Sequence, residues 1–146
     1  MPAAHLTCVA ASRDEVDQVA RQYWDEGVRH IVALRGDPPE QGSKYQPHPS
    51  GYVNAAALVG GLKKIGDFEI SVAAYPERHA DSPNWQVELD NLKAKIDAGA
   101  TRAMTQFFFD PDTYLRFLDR VDAAGINMPI VPAIMPVTNF KGMVRF

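Results

Sequence analysis

Directly behind apolar, strand-forming stretches the sequence places Thr7, the triplet Arg35-Gly36-Asp37, the string Tyr75-Pro76-Glu77 with His79, and Gln106. In the triplet, a guanidinium and a carboxylate flank a glycine that lets backbone approach a ligand closely. A local Arg–Asp ion pair or a turn-forming aspartate is the plainer reading. Gln106 both donates and accepts, which suits the edge of a flat heterocycle, although an amide tied to backbone fits equally well. His79 in a loop reads most simply as solvated. The four histidines, His5, His30, His48 and His79, form no i, i+4 pair and have no cysteine partner at zinc spacing, so no metal site is expected. No Gly-x-Ser-x-Gly elbow is present, and Cys8 falls inside an expected strand, where free thiols are usually inert packing. Lys93 and Lys95 belong to a helix rather than a strand end, which leaves no Schiff-base lysine. Cofactor-assisted chemistry remains. Phe107, Phe108 and Phe109 read as core.

The elements that must position these residues follow a repeating pattern. His5 to Ala10 forms a short strand that runs into Ser12 and Glu15, a capping box. Behind it Val16, Val19, Ala20, Tyr23 and Trp24 make one helical stripe that Gly27 can end. His30 to Leu34 is a run of buried-strand residues, as in a parallel sheet covered on both faces. Ala55, Leu58, Val59 and Leu62 mark a second helix, and Phe68 to Tyr75 a third strand. Trp85, Leu89, Leu92 and Ile96 mark a third helix ending at Gly99. Ala103 to Phe109 is a fourth strand. Asp110 then caps a helix with Pro111 at its first position and Tyr114, Phe117, Leu118 and Val121 on its buried face up to Gly125. Pro129 to Met135 is a fifth strand, and Thr138 or Asn139 caps a further element from Phe140. Between Asp37 and the second helix lies a loop of roughly 15 residues rich in Pro and Gly, long enough to serve as a lid over a site.

Strands alternating with helices at about 30 residues per unit are βα repeats with right-handed parallel crossovers. An open dinucleotide-binding sheet would carry a glycine-rich turn after its first strand, and Cys8-Val9-Ala10-Ala11-Ser12 has no glycine. The α/β class with a partial (βα)8 barrel is therefore expected. A full barrel takes about 250 residues, so the 146 residues here supply about five of its units and read as one portion of a single domain.

With 15 Lys+Arg, 18 Asp+Glu and a net charge of −3, the basic residues are too few and too scattered to track a phosphate backbone, so nucleic acid is not an expected partner. No apolar run approaches the ~18 residues of a membrane helix, and Met1-Pro2-Ala3-Ala4 lacks signal-peptide character. A single cysteine fits a reducing compartment, so no membrane association and a cytoplasmic location are expected.

Taken in order, Ala4 to Cys8, His30 to Pro39, Val72 to Glu77, Asn91 to Lys93 with Asp97 to Ala100, and Thr105 to Asp110 resemble the methylenetetrahydrofolate reductase family over essentially the whole chain. The resemblance implies the central portion, strands 3 to 7, of an FAD-binding barrel. In this family NADH or NADPH reduces the flavin, and the flavin reduces 5,10-methylenetetrahydrofolate to 5-methyltetrahydrofolate for methionine biosynthesis. It further implies FAD contacts at His5, Arg35, Gly36, Asp37, Ala55, Tyr75, His79, Glu88, Asn91 and Lys95. Asp37 resembles the catalytic carboxylate beside flavin and pterin, where a negative charge disfavours the anionic reduced flavin and stabilises the cationic iminium form of the folate. Gln106 resembles an amide shared by pterin and nicotinamide, and Phe146 an aromatic that sandwiches those substrates. A homo-oligomeric parent is implied as well.

Several positions depart from the family pattern. Asn54 stands ahead of Ala55 where an aromatic is common, with Tyr52 the nearby substitute; Glu88 replaces a frequent aspartate, and Ala94 stands where a basic residue is usual. The family's general-acid glutamate belongs to a strand earlier than those matched here, so the 146 residues alone are expected to be inactive. Two other readings fit the residues: a half-barrel that binds or assembles without catalysis, and another flavin barrel such as a proline-oxidising enzyme.

Overall fold

Five strands and four helices alternate along the residues described by the computed structural model, 3–40 and 43–135. They are β1 (Ala3–Thr7), α1 (Arg13–Asp25), β2 (His30–Leu34), α2 (Ala55–Ile65), β3 (Glu69–Ala74), α3 (Trp85–Asp97), β4 (Arg102–Thr105), α4 (Pro111–Ala123) and β5 (Ile130–Val131). Local chemistry sets the helix starts. Ser12 Oγ accepts the Glu15 N–H at 3.3 Å while the Glu15 carboxylate accepts the Ser12 N–H at 2.8 Å, closing the expected capping box. Asn54 and Asn84 accept from Ala57 and Val87 at the starts of α2 and α3, and Asp110 with Pro111 behind it opens α4 as expected.

All four strand pairings are parallel and the order is strictly sequential, β1-β2-β3-β4-β5. A doubly wound sheet reverses direction at a switch point, whereas right-handed crossovers that keep one direction place every helix on the same face, as in a sheet curling toward a cylinder. The core sits on that covered face. Leu6, Ile31, Ala33, Ile70, Val72 and Ala103 from the strands join Val16, Ala20, Leu58, Leu62, Leu92 and Phe117 from the helices. The opposite face, by the two-residue alternation of strands, carries Leu34, Ala73 and Met104 nearest the strand ends, His5, Val32, Ser71 and Arg102 in register one row down, and His30 with Glu69 below them. There His30 Nε2 and Ser71 Oγ share a hydrogen bond of 2.7 Å, and Arg102 pairs with Glu69.

Three strand readings need correction. β1 occupies Ala3–Thr7 rather than His5–Ala10, because Ala10 takes a left-handed φ of +54° that no strand can continue. Cys8 is accordingly not a strand residue but the first one past the strand end. β4 stops at Thr105 instead of reaching Phe109: the Gln106 N–H still bonds the Ala74 carbonyl, and the chain then leaves the sheet toward the α4 cap. The three phenylalanines are therefore not core. Phe107 and Phe109 are 40% and 55% exposed, and Phe108 stacks on Tyr114 with centroids 5.2 Å apart. β5 is only Ile130–Val131, although the Thr105 hydroxyl accepts the Ala133 N–H farther along. The cap expected at Thr138 or Asn139 lies outside the described residues, as does Phe146.

Candidate functional site

Two adjoining cavities of about 220 and 310 Å³ open at the C-terminal ends of the strands. They share Leu34, Arg35, Ala73, Tyr75 and His79, so they form one continuous groove. Each described residue that the family resemblance names as a site position lines it. His5, Gly36, Asp37 and Gln106 border the larger cavity, Ala55, Glu88, Asn91 and Lys95 the smaller, and Arg35, Tyr75 and His79 both. Thr7 and Glu77 are exposed strand-end residues that line neither. A larger space of about 700 Å³ lies elsewhere, between the outer faces of α1 and α2, among side chains of both charges such as Arg21, Asp25 and Lys64.

Each wall has a local cause. Gly36 follows β2 with φ +84°, packed so that its Cα faces Val9 and Thr7, and this turns Asp37 out to the exposed mouth. The ion pair expected within the Arg35-Gly36-Asp37 triplet is not the one formed: Arg35 Nη1 donates instead to Asp81 Oδ2 at 2.8 Å, across to the loop between β3 and α3. His79 is not the solvated loop residue of the plainer reading. Its N–H donates to Glu88 Oε2 at 3.0 Å, its Nδ1 accepts the Asp81 N–H at 3.0 Å, and its ring meets the Tyr75 ring edge-on at 4.6 Å. The 75–79 segment reaches this geometry through Arg78, a non-glycine residue at φ +68°, a strained conformation of the kind that clusters at functional sites. Gln106 turns its Oε1 back to accept the Phe107 N–H at 3.0 Å, and among the described residues its two amide hydrogens have no partner.

Glu88, Asn91 and Lys95 follow one another at helical spacing and project from one side of α3 beside the apolar stripe of Leu89 and Leu92. Lys95 belongs to a helix, yet its Nζ donates to the Ala73 carbonyl at 2.8 Å, at the end of β3, and lies 5.7 Å from the Tyr75 ring centroid. Burial pushes this ammonium down to about 8, with the Glu88 carboxylate opposing the shift and Arg35 adding to it. Burial likewise raises the Tyr75 phenol. A depressed lysine destabilises the fold where both states are protonated, below about pH 8. Between there and the unfolded value near ~10.4 the folded chain sheds the proton first, so stability rises with pH. Denaturant titrations at pH 7 and pH 9.5 should show a gain on the order of 2 kcal/mol that Lys95→Met abolishes; equal pH dependence in both proteins would contradict the assignment.

Sequence reasoning missed Tyr45 and Asp81. The Tyr45 ring lies under the Arg35 guanidinium, 4.4 Å from centroid to Cζ, and both residues line the smaller cavity. One of only two tyrosines in an otherwise mostly polar, Pro-rich loop was the available signal for Tyr45; Asp81, in a turn without periodicity, offered none. Tyr52, the expected aromatic substitute beside Asn54, points elsewhere. Its hydroxyl donates to Asp17 Oδ1 at 2.7 Å and its ring presses on Gly61, where any Cβ would collide, so it ties the loop to α1 and α2 and lines the outer space instead.

The whole chain, residues 1–146, matches the family model for methylenetetrahydrofolate reductase. It is 57% identical over 144 residues to the 5,10-methylenetetrahydrofolate reductase of Pectobacterium carotovorum subsp. carotovorum, covering 99% of this chain and 46% of that protein. The Escherichia coli (strain K12) protein of the same name is 54% identical, with 99% and 47% covered. Methylenetetrahydrofolate reductase (NADH) 1 of Arabidopsis thaliana is 40% identical, with 97% and 26% covered. The chain thus spans about half the length of the bacterial relatives. Among solved structures, a phosphonopyruvate hydrolase complexed with oxalate and Mg²⁺ superimposes with a TM-score of 0.66 over 95% of this chain and 47% of that one, at 17% identity. That likeness concerns the fold alone, and agrees with a singly wound α/β sheet. The family match over the whole chain and these sequence identities place this chain in the methylenetetrahydrofolate reductase family.

Proposed function

We propose that these residues form the central portion of a single FAD-binding barrel domain that reduces 5,10-methylenetetrahydrofolate to 5-methyltetrahydrofolate at the expense of NADH or NADPH. The observation that carries this reading is the groove itself. Side chains from β1, the β2 loop, α2, the β3 loop, α3 and β4, distant in sequence, line two joined cavities at the C-terminal edge of a parallel sheet, where barrel active sites lie. A site of a few hundred Å³ with an apolar floor and a few convergent polar groups is the usual form of a cofactor pocket.

The donor set suits a flavin dinucleotide. Arg35 and Lys95 supply positive charge for a pyrophosphate, and Asn91 and His79 add polar groups on the same wall. Ala55 leaves room where a larger side chain would fill the smaller cavity, while His5, Gly36 and Tyr75 border the larger one. Hydride transfer from a nicotinamide to the folate is the chemistry that a flavin held by these residues would supply. Asp37 keeps a carboxylate at the mouth, where a fixed negative charge stabilises a cationic iminium on the folate. Gln106 presents its free amide hydrogens beside it, available to the pterin and the nicotinamide in turn. Glu88 keeps His79 and the β3 loop in place and partly compensates the Lys95 charge.

The test is an absorbance scan of the protein as its gene encodes it, before and after anaerobic NADH or NADPH. A stoichiometric flavin spectrum that bleaches with the reductant and recovers on adding 5,10-methylenetetrahydrofolate is expected. Absence of flavin, or recovery with proline-linked chemistry instead, would overturn the proposal.

A further inference from the structure

Three segments converge on one guanidinium. Arg35 leaves β2 and lines both cavities. Tyr45, from the loop before α2, stacks under its plane at 4.4 Å. Asp81, from the β3–α3 loop, accepts from its Nη1 at 2.8 Å, and is itself held in a closed turn by its own N–H on His79 Nδ1 and by the Ser82 N–H on the His79 carbonyl. Behind them the fully buried Cys8 thiol lies 3.6 Å from the Arg35 carbonyl and 3.9 Å from the Tyr45 hydroxyl, which ties the loop down to the end of β1.

The arrangement is economical in donors. Asp81 takes only one face of the guanidinium fork, and the ring contact uses none of the five N–H groups, so the rest stay available at the junction of the two cavities. The ion pair has little independent value, because Asp81 is 60% exposed. A long arginine left free must give up rotamer freedom each time it binds a ligand, whereas one already gripped from two sides does not.

We infer that Tyr45 and Asp81 are positioning residues that hold the Arg35 guanidinium ready for the phosphate groups of a nucleotide-type ligand. This rests on the flavin reading of the groove and adds to it the residues that preorganise its cation. Tyr45 acts through its ring, by a cation–π contact, and Asp81 acts through its carboxylate. Since both act through Arg35, neither matters when Arg35 is gone.

The experiment measures equilibrium binding of FAD, FMN and riboflavin to the apoprotein of the full gene product for wild type, Tyr45→Ala, Tyr45→Phe, Asp81→Ala, Arg35→Met and the double variant Arg35→Met/Tyr45→Ala. Tyr45→Ala and Asp81→Ala should each raise the FAD dissociation constant roughly tenfold. Riboflavin, which has no phosphate, should be unaffected. Tyr45→Phe should bind as wild type, and Tyr45→Ala should add nothing in the Arg35→Met background. An equal loss for riboflavin, or a full additional loss in the double variant, would reduce Tyr45 to a loop-packing residue and overturn the inference, as would FAD bound equally tightly by wild type and both alanine variants. Absence of flavin binding in wild type would overturn the reading of the groove and this inference with it.

Discussion

Replacing Asp37 by asparagine should slow reduction of 5,10-methylenetetrahydrofolate about a hundredfold while changing reduction of the flavin by NADH far less. Asn is nearly isosteric and Asp37 is exposed at the cavity mouth, so the fold has no reason to change. What disappears is one fixed negative charge in a wall where Gln106 and Tyr75 also face the larger cavity. A charge at that place assists the half-reaction in which positive charge develops on the substrate; in the other it only opposes the anionic reduced flavin, so its loss removes nothing that speeds that step. Stopped-flow traces of the two half-reactions, taken separately, are the measurement. Equal slowing of both would show that Asp37 serves binding or structure, and the electrostatic role would fall.

A second large effect is expected at the neighbouring residue. Gly36→Ala should destabilise the protein by about 2–4 kcal/mol and weaken flavin binding with it. Two costs combine: the backbone sits at φ +84°, which an L side chain adopts under strain, and the new Cβ would lie 2.5 Å from Val9 Cγ1 and 3.0 Å from Val9 Cβ. Val9 is β-branched and stiff at χ1, so it cannot simply rotate aside. Gly27→Ala isolates the first cost, because φ there is +85° but nothing lies within 4 Å of the added Cβ. Its expected loss is about 1 kcal/mol. Denaturant midpoints for the two variants would decide the matter, and equal losses would rule out steric crowding at the β2 turn.

The organisation of the chain was legible because its signals are local. Ser12 with Glu15, Asn54, Asn84 and Asp110-Pro111 announce helix starts through bonds spanning three residues or fewer. Runs such as Ile31-Val32-Ala33 announce a strand covered on both faces. Strand ends were harder, because β-propensity continues past the point where the sheet stops offering partners. Phe107 to Phe109 have strong strand character, yet leave the sheet one residue after Gln106 bonds Ala74. The candidate site residues at the strand ends could be listed in order from the sequence, whereas Glu88, Asn91 and Lys95 entered only through the family resemblance, and the structure sets them at helical spacing on one side of α3.

Composition, periodicity and capping by themselves determined the βα rhythm and the α/β class, since each depends on neighbours a few residues apart, and short strings read in order carried the family resemblance. Only the tertiary structure decided which distant groups meet. Arg35 chose Asp81, 46 positions away, over Asp37, two away, and the Lys95 ammonium reached back to the Ala73 carbonyl. Tyr45 rather than Tyr52 turned toward the groove. Those choices follow from strand register and from where α3 and the loop before α2 settle on the sheet. Both are collective results of burying one face of every element at once, and no window of sequence contains them.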